Sequence, residues 1–396
     1  MMNYIVKFTD SNIKNIILNI CILLFGINFL YKCNYIVFGT FVLLVIFKKF
    51  KINLGNKFTL LILVLFSICW YIFGGHEIAG VCLPICYLIG SNIDESDEKG
   101  ITKFIILIAA SLALYTTSFF INNGIINGFS SYNVETQYNI WNGNPLWPTN
   151  IMLYSSLFSS ICGYIVFYEK NKKMKILYFI ILFINMFYAL MLGRRTALLM
   201  VCLSMLISFI YIMFFDKTNN KKKIVKISLV VLFIILIICL LLVVCYIYNI
   251  FNFKNIVEET NLYIRYSDNI FKFFNDAGRT KIRKKFLSYF WQYPWGGSKI
   301  HNFINNYAHD LWLDVYDVAG IITFIVMIVY TIVIFTNIVK LLLNKSLNMK
   351  FRLLLLSLFI CIFVQFCIEP ILEACRAYMF AVCMIFGSLE RLNKNV

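Results

Sequence analysis

The chain has 396 residues, of which 61% are hydrophobic and only 14% charged, with a mean hydropathy of +0.80. A water-facing domain usually carries about 25% charged residues, so a cytosolic enzyme, a secreted domain and a disordered chain are all excluded. The formal charge of +17 suggests nucleic acid in a soluble protein, but here most of the Lys sits in clusters between apolar runs, so no nucleic-acid partner is expected.

The fold class expected is all-α integral membrane, one polytopic domain over 1–396 with about 12 transmembrane helices. Apolar runs place them at about 13–31, 35–47, 58–73, 78–93, 101–121, 151–168, 176–192, 196–215, 227–251, 318–339, 353–368 and 374–389. The first run has no small-residue cleavage site behind it and reads as a retained helix. The 13 Cys lie almost all in apolar runs, where Cys acts as a small hydrophobe. Cys82 and Cys86 are one turn apart without acidic or His company, which argues against a metal site. Cys33 and Cys375 both fall near the predicted outer face, where a disulfide between them is conceivable and free thiols are favoured.

Connecting segments alternate in charge. Of the 36 Lys and Arg, 23 fall on one side, in clusters such as Lys48–Lys57, Lys170–Lys175 and Lys217–Lys226 and at both termini. The other side holds Lys32, Arg194, Arg195, Arg376 and nine residues of 252–310. The positive-inside rule then makes both termini cytoplasmic. Two long segments fall outside: 122–150, rich in Asn, Trp, Gly and Pro with no basic residue, and the large loop 252–317 before helix 10. Trp141 and Trp147 of the first suit either sugar stacking or an interfacial anchor. No repeat period stands out.

Four outer features carry polar chemistry. In Gly193-Arg194-Arg195-Thr196, two Arg sit where one helix ends and the next begins. They suit snorkelling to lipid phosphate, or an anion site where bidentate guanidinium bonds join a helix N-terminus. In the large loop, residues 280–292 place Ile282, Phe286, Tyr289 and Phe290 on one helical face, with Lys281, Lys284 and Lys285 mostly opposite. Pro294 and Gly296-Gly297 end this helix. It suits a helix lying on the headgroups, or a basic lid beginning at Arg279. Asp310, Asp314 and Asp317 then follow i, i+4, i+7, with His309 beside them. They suit a solvated helix N-terminus, or a polar cavity that offsets the expense of acids entering a membrane helix. Glu369 and Glu373, with Arg376, form a short turn that suits a surface ion pair.

These residues resemble the O-antigen polymerase and O-antigen ligase superfamily of bacterial envelope enzymes. Arg195-Thr-Ala-Leu-Leu is similar to the family's Ser-Arg-small-x-Leu element. Gly278-Arg279 to Trp295-Gly-Gly297 resembles its Gly-Arg…aromatic…Pro-aromatic-x-Gly stretch. Ala308-His309-Asp310-Leu-Trp-Leu…Gly320-Ile resembles its Ala-His-Asn-x-Tyr-Leu…Gly-Leu signature. Asp310 departs from the usual Asn, and Arg194 beside Arg195 leaves two candidates for one Arg role.

The resemblance implies a GT-C-like glycosyltransferase of the bacterial inner membrane, acting at the periplasmic face by inverting, metal-independent transfer with no cofactor. Its partners would be undecaprenyl-pyrophosphate-linked oligosaccharide as donor and acceptor, the lipid bilayer, and a chain-length regulator. Arg194, Arg195 and Arg279 would hold pyrophosphate. His309 would act as general base with Asp310 and Asp314 beside it, and Asp317, Glu369 and Glu373 would contact the acceptor. Within the family a polymerase is favoured over a ligase, because polymerases diverge with each sugar repeat and a loose match with a plain layout suits them. A capsule polymerase would read the same. A lipid-linked oligosaccharide flippase is the competitor from another class, but it should carry charge deep within several helices, and the predicted mid-helix positions are nearly free of it.

Overall fold

A computed structural model describes residues 2–76, 78–93, 97–126, 137–215, 247–249, 253–258, 263 and 278–393, with side chains from residue 13 onward except at 78, 79, 253, 256, 257 and 393. The described chain is almost wholly helical. Six helices among the described residues are long and apolar enough to cross a membrane: Glu98–Ile126, Pro148–Tyr168, Lys172–Met191, Thr196–Phe215, Leu311–Leu343 and Met349–Ile368. Four shorter apolar helices accompany them, Ile13–Gly26, Cys33–Phe47, Lys57–Phe73 and Cys82–Ser91. The helix expected at 227–251 lies outside the described residues apart from 247–249. The chain divides into two compact units, one of Met1–Tyr115, Asp276–Leu355 and Ile362–Val396, the other of Thr116–Asn275 and Leu356–Cys361.

In the first unit, α1 (Met2–Gly26), α2 (Cys33–Phe47), α3 (Lys57–Phe73), α4 (Cys82–Ser91) and most of α5 (Glu98–Phe119) come first in the chain. The first helix ends at Gly26 rather than near residue 31, because Asn28, Leu30 and Tyr31 take left-handed backbone. The chain leaves this unit and later returns. Labelling continues in chain order with α6 (Pro148–Ser159), α7 (Cys162–Tyr168), α8 (Lys172–Met191), α9 (Thr196–Phe215) and α10 (Phe253–Glu258), all of the second unit. The returning elements are α11 (Arg279–Tyr289), α12 (Lys299–Ile304), α13 (Leu311–Leu343), α14 (Met349–Ile368), α15 (Ile371–Ala374) and α16 (Arg376–Asn393).

The last helix, α16, is the centre of the first unit. Residues from Ala377 to Phe386 are all buried. It packs on α4 at very close range: a Cβ at Gly90 would stand 1.8 Å from the Met384 carbonyl oxygen, and one at Gly387 would stand 2.1 Å from that of Tyr87. Small residues let two membrane helices approach backbone to backbone, where dispersion replaces the missing hydrophobic drive. At one end of this pair the buried Glu390 accepts hydrogen bonds from Tyr87 Oη (2.7 Å), Thr59 Oγ1 (2.8 Å), the Asn56 amide (2.9 Å) and Asn337 Nδ2 (3.2 Å). One carboxylate thereby ties α3, α4, α13 and α16 together, and each of its donors satisfies part of its charge.

In the second unit, the run expected as one helix at 151–168 is broken into α6 and α7 around Ser160 and Ile161. The break is filled by hydroxyls. Ser357 Oγ donates to the Ser160 carbonyl (2.7 Å) and bonds Ser204 Oγ (2.8 Å), which accepts from the Gly163 amide (3.1 Å). Segment 122–150 is not wholly irregular. Its described part holds a short antiparallel hairpin, β1 (Gln137–Tyr138) with β2 (Pro145–Leu146). Asn123 grips the hairpin with both amide atoms, donating to the Tyr138 carbonyl and accepting from the Tyr138 amide, each at 2.9 Å.

Candidate active site

The large loop is organised around a break in α13. Gly320 sits inside that helix at φ 77 and ψ −179, a conformation closed to residues with a Cβ. The turn over 294–298 lies against the break. Ile321 N donates to Pro294 O (2.9 Å), Gly297 N to Val318 O (2.9 Å) and Ser298 N to Asp317 O (2.8 Å). A Cβ on Gly320 would stand 2.7 Å from Pro294 O, and one on Gly296 would stand 2.5 Å from Gly320 N. Two glycine-bearing motifs distant in sequence are therefore one backbone contact. The helix expected from 318 begins at Leu311 instead, because Asp310 caps it: Asp310 Oδ1 accepts from Trp312 N (3.1 Å) and Leu313 N (3.2 Å).

The loop helix α11 and the short 3-10 turn Phe290–Gln292 match the amphipathic stretch expected at 280–292. Its apolar face is taken up by packing within its own unit. Ile282, Phe286, Tyr289 and Phe290 pack with Ile300, Ala308, Leu313 and Tyr316 of the same unit. Phe290 stacks on Tyr316 with ring centroids 3.9 Å apart, and the Tyr316 hydroxyl donates to the Phe290 carbonyl. Lys281, Lys284 and Lys285 are exposed, as the pattern predicts.

This docking brings two arginines, one turn apart on α11, to the C-terminus of α14. Pro370 stops that helix, whose last carbonyls lack intrahelical donors. Arg279 Nη1 donates to Ile368 O (2.7 Å) and Nη2 to Glu369 Oε1 (3.3 Å). Glu369 is fully buried, and Arg279 is about a quarter exposed. The acid expected in a surface pair within its own turn is thus held by a loop arginine from 90 residues earlier. Arg283 donates to the carbonyls of Ala308 (Nε, 3.4 Å), His309 (Nη2, 2.6 Å) and Cys367. The sequence reading assigns no role to Arg283; its i, i+4 spacing from Arg279 is the signal that points to it.

His309 is held at φ 54, in the left-handed region. The acids near it do not form one open stripe. Asp310 is the helix cap. Asp314 is buried and accepts from Ala308 N (3.0 Å) and Asp310 N (3.3 Å). Asp317 is buried and accepts from Ile300 N (2.9 Å) and His301 N (3.2 Å), which orders the start of α12. Burial raises the Asp310 carboxyl above its usual range, against the lowering effect of the Leu313 and Trp312 amides and the Arg283 cation. Among the described residues, no group of three or more His, Cys, Asp or Glu is arranged to hold a metal ion. Glu373 lies in α15, half-buried.

Arg194 and Arg195 belong to the second unit. Helix α8 closes with Gly193 N donating to Leu190 O (3.0 Å) and Arg194 N to Ala189 O (2.8 Å), a Schellman turn. Gly193 supplies its left-handed residue at φ 64. Arg195 then precedes α9, its carbonyl accepting from Leu199 N (2.8 Å). Both side chains are half-buried at this junction.

No curated protein matches the chain. The matched stretch of the family comparison runs from α8 to the capped start of α13 and contains Arg194, Arg195, Arg279, His309, Asp310, Asp314 and Asp317. Residues 177–317 match the sequence model of the family described as O-antigen ligase, consistent with the O-antigen polymerase and ligase superfamily that the three motifs resemble.

Proposed function

We propose that the protein is an O-antigen polymerase of the bacterial inner membrane, joining undecaprenyl-pyrophosphate-linked repeat units at the periplasmic face. The observation that carries the reading is the family match over 177–317, which contains the arginines and the histidine assigned to the chemistry. The charge asymmetry of the short loops supports cytoplasmic termini and an outer site.

In the proposed step an acceptor hydroxyl oxygen attacks the anomeric carbon of the donor sugar from the face opposite the pyrophosphate. The new C–O bond forms as the anomeric carbon–pyrophosphate bond breaks, with inversion. The hydroxyl proton passes to the His309 imidazole, whose ordinary pKa near 6.5 suits a base at neutral pH. Undecaprenyl pyrophosphate leaves with the electron pair. Arg279 stabilises the charge that develops on it, and Arg194 and Arg195 are the further candidates for a phosphate ligand. Arg stays protonated at any physiological pH and offers a bidentate fork to phosphate oxygens. Asp310 and Asp314 act on the backbone that carries His309. Glu369 holds Arg279, Asp317 orders the start of α12 through the Ile300 and His301 amides, and Glu373 is the acid that faces the acceptor side.

The test is the lipopolysaccharide pattern of a deletion strain rescued with wild type or His309→Ala, with membrane expression checked. The expected result is a full ladder with wild type and core bearing one repeat unit with His309→Ala. A full ladder with His309→Ala removes the base assignment. The description of the matched family favours a second reading, a ligase that moves finished polymer onto lipid A-core. Its deletion strain would show bare core and accumulated lipid-linked polymer instead of core with one repeat.

A further inference from the structure

The peptide segment that carries His309 is gripped from both sides, by the side chain of an acid and by that of an arginine. On one side the buried Asp314 carboxylate accepts from the amides of Ala308 and Asp310. On the other the Arg283 guanidinium donates to the carbonyls of Ala308 and His309, and also to that of Cys367 at the end of α14. Between them His309 adopts φ 54. A residue with a Cβ in that region is strained relative to ordinary backbone and persists only where its surroundings hold it. The left-handed turn sets the direction in which the imidazole leaves the chain. Arg283 is well suited to hold it. Its planar fork bonds several acceptors at fixed angles, and its helix is anchored independently by the Phe286 cluster.

We propose that Arg283 is the positioning residue for His309, fixing the backbone turn that aims the imidazole, and that it does so without touching the substrate. The proposal rests on the reading of His309 as general base. It differs from the role assigned to Arg279, whose guanidinium is turned to Ile368 and Glu369. Arg283→Gln removes the fork and leaves three carbonyls without their donor. Arg283→Lys keeps the charge but loses the planar spread. A small misplacement of a catalytic group costs on the order of 10²-fold in rate.

The experiment uses full-length protein in lipid nanodiscs with lipid-linked oligosaccharide as donor and acceptor. Carbethoxylation of His309 by diethyl pyrocarbonate, read by peptide mass, is the second readout. In Arg283→Gln the expected results are a fall in kcat of about 100-fold with donor KM within about threefold of wild type, and a change of about threefold or more in the His309 modification rate. Arg283→Lys should fall between the two and keeps the test available if the Gln variant does not fold. A His309 modification rate equal to wild type in both variants overturns the proposal whatever the activity does. A rise in donor KM at unchanged kcat overturns it as well, because Arg283 would then be a donor ligand. His309→Ala assayed alongside tests the base assignment separately: full turnover there sinks that assignment, while the modification rates still decide what Arg283 does.

Discussion

The ion pair of Arg279 with Glu369 yields the sharpest expectation, because its two halves differ in burial. Glu369 is fully buried, and its Oε1 lies 3.3 Å from Arg279 Nη2. At an effective dielectric near 20 the attraction at that distance is about 5 kcal/mol before desolvation is counted. Replacing Arg279 by Met removes that partner and also the donor to the Ile368 carbonyl. An acid left buried without its cation destabilises by about 3–5 kcal/mol, which for a chain of this size is a fall in Tm of about 4–6 °C. Glu369→Gln placed in the Arg279→Met background removes the stranded charge and should recover half or more of that loss. Turnover should not recover, since Arg279 is proposed to bind pyrophosphate and Gln at 369 does nothing for that. Purified variants in one detergent, followed by intrinsic fluorescence on heating and then assayed for transfer, give both numbers. A Tm for Arg279→Met within about 2 °C of wild type would refute the argument that Arg279 neutralises a buried acid. Recovery of turnover in the double variant would remove Arg279 from the donor site.

Other expectations follow from single contacts. Arg279→Lys should stay folded and lose most turnover, because Lys lacks the bidentate fork; wild-type turnover would refute the clamp. Asp310→Asn keeps a side-chain oxygen for the Trp312 and Leu313 amides while removing a charge. The raised carboxyl pKa of Asp310 means that the folded state holds its proton more tightly than the unfolded state, so this group's contribution to stability falls as pH rises through that window. Asp310→Asn should therefore match or exceed wild type in Tm at pH 7, with the difference closing below about pH 4; a lower Tm at pH 7 would contradict this. Gly320→Ala should destabilise by more than about 2 kcal/mol, through both its ψ near 180 at positive φ and the approach of Pro294 O, and unchanged Tm would show that the break is not tightly held. Glu390→Ala strips the shared acceptor from Tyr87, Thr59, Asn56 and Asn337 and should lower Tm by several degrees, which thermal melts of the variant check directly.

Much of this protein was legible in composition and periodicity. Apolar runs bounded by Lys clusters locate the helices, because lipid demands internally satisfied backbone and Lys is dragged across a bilayer only at a cost. The amphipathic period of residues 280–292 likewise marks the loop helix, whereas the next helix starts seven residues before its apolar run, at the Asp310 cap. Sequence spacing also placed Asp310, Asp314 and Asp317 near one another. Their use was decided elsewhere. Each acid serves amides of a different segment, and which amides come within reach depends on the loop docking against α13. The same holds for the apolar face of α11, which periodicity shows to be buried but not against what. Gly296 and Gly320 read locally as a turn and a helix irregularity. Only tertiary contact makes them the two sides of one backbone crossing. Arg283 and Glu369 gained their meaning in the same way. A local pattern tells which side chain is charged, whereas the partner that makes the charge tolerable comes from 84 residues away for Arg283 with Cys367 and 90 for Arg279 with Glu369. Burial strengthens such pairings and punishes their loss, so the long-range packing, not the local period, determines what these residues do.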